Sequence, residues 1–350
     1  MRWTSLSLLA LLAFLSLGTG VIIGSLLART GQGRGVPIYE MIEPAGLQPT
    51  PAELDAADLQ FNQFDVRTDI SYGPHGRRNM LDLYIPQHAA EPLPVIVFIH
   101  GGGTNKSHKN EGTPFDWSIP LLSRGFAVAQ INYRVFYKPP QFPDPYNDKP
   151  VPFPAQIEDC KSAIRFLKSN AASYGLDPTR IGVIGHSFGG YLAALVGTTG
   201  DTKEFDASPS ISNVSGSAHA VCVISGSSQL QVNTPQVELH RKASGYLLPP
   251  NDTLSATQRF YIQPMDPHEV VQASPLSYVS PDDPPFLILH GFDDIVIPPH
   301  QANLLYVHLR NAGVPVELYL IPGASHGGPP LFNRQNRSRV VDFFNTHLGG

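Results

Sequence analysis

Ser187 stands between glycines in Gly185-His186-Ser187-Phe188-Gly189, Asp293 and Asp294 adjoin in "HGFDDIVIPP", and His326 lies in "PGASHGG". These residue types can share one task. A serine hydroxyl is a weak nucleophile until an imidazole takes its proton, and a carboxylate can fix the tautomer of that imidazole and steady its cation. Ser, Asp, His is a chain order in which such a trio occurs. Acyl transfer also needs N–H donors for the oxyanion of its tetrahedral intermediate. The run His100-Gly101-Gly102-Gly103 offers backbone amides that could join that of Phe188, so Gly102, Gly103 and Phe188 are the candidate oxyanion residues.

Each feature also has a plainer reading. The G-x-S-x-G pattern recurs by chance, paired loop aspartates cap helices, loop histidines sit at surfaces, and three glycines can be a turn. His100, His186 and His290 read as bracing residues at strand ends. Placement favours the chemical reading, because each of the four features follows a different strand-like run, and sites of open α/β sheets lie at the carboxyl ends of strands. Either aspartate could in principle reach His326.

The elements that would hold these residues are legible as periodicity. "FDVRTDISYG" and "NMLDLYIP" alternate like the half-buried strands of a hairpin, whereas "PVIVFIH", "RIGVIGH", "HAVCVIS" and "PPFLILHG" are continuous apolar runs of buried strands. "PAQIEDCKSAIRFLKSNAASYG" carries Ile157, Cys160, Ile164 and Leu167 on one helical face and ends near Gly175. "SFGGYLAALVG" reads as a helix, "PPHQANLLYVHLRNAG" as one with prolines in its first turn, and Arg334 to Leu348 as the last. Strands alternating with helices imply an α/β domain over 63–350, with a mostly parallel central sheet and helices on both faces. Residues 227–274 break the alternation and read as a small cap-like insertion, whose Phe260 and Tyr261 are candidate substrate-pocket residues.

Composition narrows the partners. Hydrophobic residues make up 42% of the 350 and charged residues 15%, so the chain can bury a large core. A net charge of −5 without a basic run argues against nucleic acid. Residues 1–29 join Arg2 to an apolar stretch and read as a signal peptide or signal anchor, which makes the protein exported, with membrane attachment as one form of that export. Residues 30–62, rich in Gly and Pro, read as an extended arm. Cys160 and Cys222 supply no disulfide framework and read most simply as buried small hydrophobes, a bridge between them being the alternative. No Cys/His spacing suggests zinc, and neither metal nor organic cofactor is expected.

The motifs "VFIHGGG", "INYR", "FPAQIEDCKSAIRFL", "YGLDPTRIGVIGHSFGGYLAAL", "ASPLSYV", "PPFLILHGFDDIVIPPHQA" and "PGASHGG" resemble the α/β-hydrolase superfamily. Within it they are most similar to the esterase/lipase group that includes feruloyl and acetylxylan esterases and hormone-sensitive-lipase-like carboxylesterases. The resemblance implies a serine carboxylic ester hydrolase with Ser187 as nucleophile and His326 as base. The family pattern H-G-x-x-D-x-x-V-P falls on His290, Gly291, Asp294 and Pro298, with Ile297 in the valine position, and so favours Asp294 as orienter. Small-molecule or polysaccharide-linked esters would be its substrates. Phe188 departs from the small residue usual after the nucleophile and is expected to narrow the pocket. "TNKSHKNEG" departs from the family's aromatic residue after the glycines. Two other readings compete: a prolyl-oligopeptidase-type serine peptidase, for which the chain lacks room for a propeller, and a non-catalytic binding protein on the same fold.

Overall fold

The computed structural model describes residues 64–87, 92–102, 108–110, 114–135, 151–200, 202–205, 213–230 and 267–349. The N-terminal segment 1–29, the arm 30–62, Gly103, Phe260, Tyr261 and most of the insertion lie outside the described residues. Gln63–Lys109 with Thr113–Gly350 forms the compact unit that carries every element below. No helix among the described residues is long and apolar enough to cross a membrane.

Eight strands form one sheet: β1 (Phe64–Ser71), β2 (Met80–Pro86), β3 (Leu93–Ile99), β4 (Ala127–Ile131), β5 (Leu176–His186), β6 (Ala220–Ile224), β7 (Phe286–Gly291) and β8 (Val316–Ile321). Their spatial order is β1-β2-β4-β3-β5-β6-β7-β8. β2 runs antiparallel to β1 and β4, and every pairing from β4 through β8 is parallel. The helices are α1 (Pro114–Leu122), α2 (Ala155–Ser169), α3 (Ala171–Tyr174), α4 (Phe188–Thr199), α5 (Pro267–Gln272), α6 (His300–Asn311) and α7 (Arg334–Leu348).

Two faces of the sheet are covered, which is why β3, β4, β6 and β7 are buried at every position. Along β3, Val95, Val97 and Ile99 join the core that includes residues of α2, α4 and α6. Ile96 turns the other way, as alternation requires. There α7 closes over Gly182, where a Cβ would stand 2.7 Å from Phe344 and 2.5 Å from Ile96. On α2 the apolar face is realised, with Ile157, Cys160, Ile164 and Leu167 each at 0% exposure. The helix breaks at Asn170, and the short α3 then ends at Gly175 in the left-handed conformation (φ 65°). Cys160 and Cys222 are buried free thiols.

β2 departs from the expected half-buried strand. Its five central positions are all buried, Asp82 included. β2 lies inside the sheet between β1 and β4, and Lys109 meets Asp82 at 2.7 Å with both side chains nearly fully buried. A charge so enclosed is tolerated when it is paired. α6 begins at His300, with Pro299 as its cap instead of within the first turn.

Candidate active site

The four features meet at one end of the sheet, each at or just past the carboxyl end of its own strand. Ser187 follows β5 directly and opens α4. Its backbone stands at φ 60°, ψ −121°, a conformation that costs a residue with a Cβ and persists only where surrounding contacts enforce it. Its amide donates to the Ile224 carbonyl at 2.9 Å, and its carbonyl accepts the first turn of α4 from the Tyr191 amide at 3.0 Å. The turn is so tight that a Cβ on Gly189 would lie 2.0 Å from the Ile99 carbonyl oxygen, and one on Gly185 would lie 2.2 Å from that of Gly189. Glycine is required at both. The hydroxyl is thus held above the N-terminus of α4, where partial positive charge favours a developing anion.

His326 lies in the loop between β8 and α7. Its Nε2 is 2.7 Å from Ser187 Oγ and its Nδ1 is 2.7 Å from Asp294 Oδ2. With Nδ1–H donating to the carboxylate, Nε2 is free to accept the serine proton. The His326 side chain is 20% exposed, whereas Asp294 is 0% exposed. Asp294 is wrapped in donors. The amides of Val296 and Ile297 bond Oδ1 at 2.8 and 2.9 Å. Oδ2 takes the His326 bond and faces His290 Nε2 at 3.2 Å, and that nitrogen also lies 2.8 Å from the Ile297 carbonyl. Burial alone would raise the Asp294 carboxyl, but hydrogen bonds from His290 and His326 outweigh it and hold the group well below the usual carboxylate range. Asp294 therefore stays anionic beside His326 Nδ1. Asp293 is exposed, its amide donating to the Ala324 carbonyl at 2.9 Å.

The glycine loop is pressed against the elbow. A Cβ on Gly101 would lie 2.9 Å from the His186 carbonyl oxygen and 3.3 Å from Ser187 Cβ, so only glycine allows this approach. Gly102 follows at φ 88° and is exposed. The loop is braced from beneath by His100, buried at 1% exposure, whose Nδ1 donates to the Gly101 carbonyl at 2.8 Å. Burial pushes the His100 imidazole down to about 3, which keeps it neutral. Tyr133, just past β4, donates its hydroxyl to the His100 carbonyl at 2.8 Å and stacks on the His100 ring at 4.2 Å.

Of the sequence candidates, the structure brings Ser187, Asp294 and His326 into one hydrogen-bonded chain, and Gly102 directly follows Gly101, the glycine that lies against the elbow. Phe188 opens α4 next to the serine, but its ring is sunk in the core against Tyr133 and Tyr191, at 6.1 and 5.3 Å. Sequence reading missed Tyr133. Its signal was the motif "INYR", which sets an aromatic residue two positions past a buried strand. Among the described residues no group of three or more His, Cys, Asp or Glu is arranged to hold a metal ion.

Comparison with known proteins places this geometry in a lineage. The signature of the BD-FAE family matches residues 81–309, well over half of the chain. Esterase LipQ of Mycobacterium tuberculosis (strain ATCC 25618 / H37Rv) is 30% identical over 81% of this chain and 62% of its own length. A probable isoprenylcysteine alpha-carbonyl methylesterase of Arabidopsis thaliana, ICMEL1, is 30% identical over 75% of this chain and 51% of its own length. The chain thus spans between half and two thirds of these curated relatives. Among solved structures, a truncated carbohydrate esterase from gut microbiota superposes with a TM-score of 0.65 at 29% identity, covering 82% of this chain and 98% of that one. An acetyl ester-xyloside bifunctional hydrolase from Caldicellulosiruptor lactoaceticus superposes with a TM-score of 0.53 at 28% identity, over 76% and 85%. With its mostly parallel sheet, the serine at the β5–α4 elbow and this extent of match, the chain belongs to the BD-FAE family and has the α/β-hydrolase fold.

Proposed function

We propose that the protein is an exported carboxylic ester hydrolase that works through an acyl-enzyme on Ser187. The observation that carries this reading is the unbroken chain Ser187 Oγ, His326 Nε2, His326 Nδ1, Asp294 Oδ2, with 2.7 Å at each link between side chains. His326 takes the serine proton as Oγ attacks the ester carbonyl, and Asp294 stabilises the imidazolium that results. The oxyanion is met by the amide of Phe188 and those of the Gly101–Gly103 loop, each donor being worth about 10²–10³ in rate. His326 then returns the proton to the leaving alcohol. Water, deprotonated by the same imidazole, attacks the acyl-serine, releases the acid and restores the hydroxyl.

The curated relatives' names support ester hydrolysis, and the neighbours' titles support a carbohydrate-linked ester as the substrate class. Export rests on the basic and apolar character of residues 1–29. The purified protein should release p-nitrophenol from p-nitrophenyl acetate and acetate from acetylated xylo-oligosaccharides, and should leave prolyl peptides intact. Ser187→Ala should abolish ester turnover while the melting temperature stays near wild type. Cleavage of prolyl peptides, or ester turnover surviving in Ser187→Ala, would defeat this reading.

A further inference from the structure

The mechanism leaves His186 without a task, although it is the residue next to the nucleophile. Its half-buried ring ends β5, and its Nε2 lies 2.7 Å from the backbone carbonyl oxygen of His326. A carbonyl only accepts, so Nε2 carries the proton. We propose that His186 is a positioning residue for the base: its Nε2–H holds the His326 carbonyl and thereby fixes where the His326 imidazole stands relative to Ser187. This rests on the serine, histidine and aspartate reading above and extends it.

The loop that carries His326 needs such a tie. It contains Gly323 and Gly328, both at positive φ (73° and 93°), and glycines leave a backbone more conformational freedom than other residues do. The Asp293 amide ties the loop at the Ala324 carbonyl, two residues before His326, and leaves the main chain at His326 still to be fixed. His186 fixes the main chain at His326 itself. Since Ser187 is the next residue, nucleophile and base are joined twice over one short span: Oγ to Nε2 through side chains, and His186 Nε2 to the His326 carbonyl through the backbone. A displacement of about 1 Å at such a pair can cost about 10²-fold in rate, so the second tie bears on turnover.

The His186 ring is itself held. It meets Phe332 edge-on at 5.5 Å, and Phe332 meets the buried Trp117 edge-on at 5.6 Å. Gly327, directly after His326, passes close by, and a Cβ there would be 3.3 Å from Phe332 and 3.8 Å from the His186 ring. The two imidazoles stand 5.2 Å apart. Burial, with the neighbouring His326 charge, lowers the His186 imidazole to about 4, so it stays neutral near pH 7.

The test compares variants that keep or remove the N–H donor. Glutamine carries a donor at about the reach of Nε2, whereas leucine fills similar space with none. His186→Leu should lower kcat on p-nitrophenyl acetate by about tenfold or more with KM within about twofold, and should slow fluorophosphonate labelling of Ser187 in step. His186→Gln should restore kcat to within about threefold of wild type. If His186→Leu does not fold, His186→Asn takes its place, because its amide is too short to reach the carbonyl. A donorless variant with wild-type kcat, or a glutamine variant as impaired as leucine, would overturn the proposal. Turnover surviving in Ser187→Ala would instead defeat the underlying reading, whatever the His186 variants do.

Discussion

At the scale of single residues, burial sets two neighbouring carboxylates apart. Asp294 is enclosed and takes donors on both oxygens, while Asp293 faces solvent. Adjacent side chains in a turn diverge, and only one can accept the imidazole N–H. Asp294→Asn keeps the shape but removes the charge that selects the His326 tautomer. It should lower kcat by about 10³–10⁴ with KM little changed. Asp293→Asn should leave kcat within about threefold, since its side chain is outside the hydrogen-bonded chain. Steady-state kinetics on one ester checks both, and a crippled Asp293→Asn beside an unaffected Asp294→Asn would reverse the assignment. His290 and His186 were legible in the sequence as bracing histidines at strand ends. Which atoms they brace was not, because Ile297, Asp294 and the His326 carbonyl reach them only through the folded loops.

At the scale of elements, the elbow and the glycine loop were legible because glycine at close approaches leaves a mark in sequence. The apolar face of α2 was legible for a similar reason, since a 3.6-residue period survives any tertiary context. β2 was not, because its alternation hid a strand buried on both faces, and its Asp82 is neutralised by Lys109 from a distant segment. Tyr133 was hidden in the same way, since its partner His100 follows a neighbouring strand and β4 lies beside β3 only in the sheet. Tyr133→Phe tests that brace by removing the hydroxyl and keeping the stack on His100. Losing one buried hydrogen bond of this kind costs about 0.5–1.5 kcal/mol, so the melting temperature should fall by a few degrees. If the bond also aligns the oxyanion loop, kcat should fall about threefold to tenfold while KM holds. Unchanged kcat with lowered stability would leave Tyr133 as support for the core alone.

At the scale of the whole molecule, several buried titratable groups tie stability to pH. Burial lowers the imidazoles of His100, His108 and His186 to about 3, about 4 and about 4. Their unfolded value is about 6.5, so between that pH and about 4 the unfolded chain binds protons that the folded chain refuses. Their contribution to stability is complete above pH 6.5 and is lost as pH falls. The Asp294 carboxylate adds a loss of the same sign below about pH 4, where an unfolded aspartate takes a proton that the folded one does not. Asp283, pushed up to about 6 by burial, and Asp116, also raised by burial, work the other way over part of that range, and the three histidines outweigh them. Melting temperature should therefore decline steadily from pH 7 to pH 4.5, and a flat or rising profile would show that those histidines accept protons in the folded state. The central claim is a covalent one, and one measurement meets it directly. Treated with a fluorophosphonate, the full chain should gain the mass of a single adduct that maps to Ser187, and His326→Ala should label far more slowly. An adduct on another residue, or no adduct in a protein that still hydrolyses esters, would contradict the account.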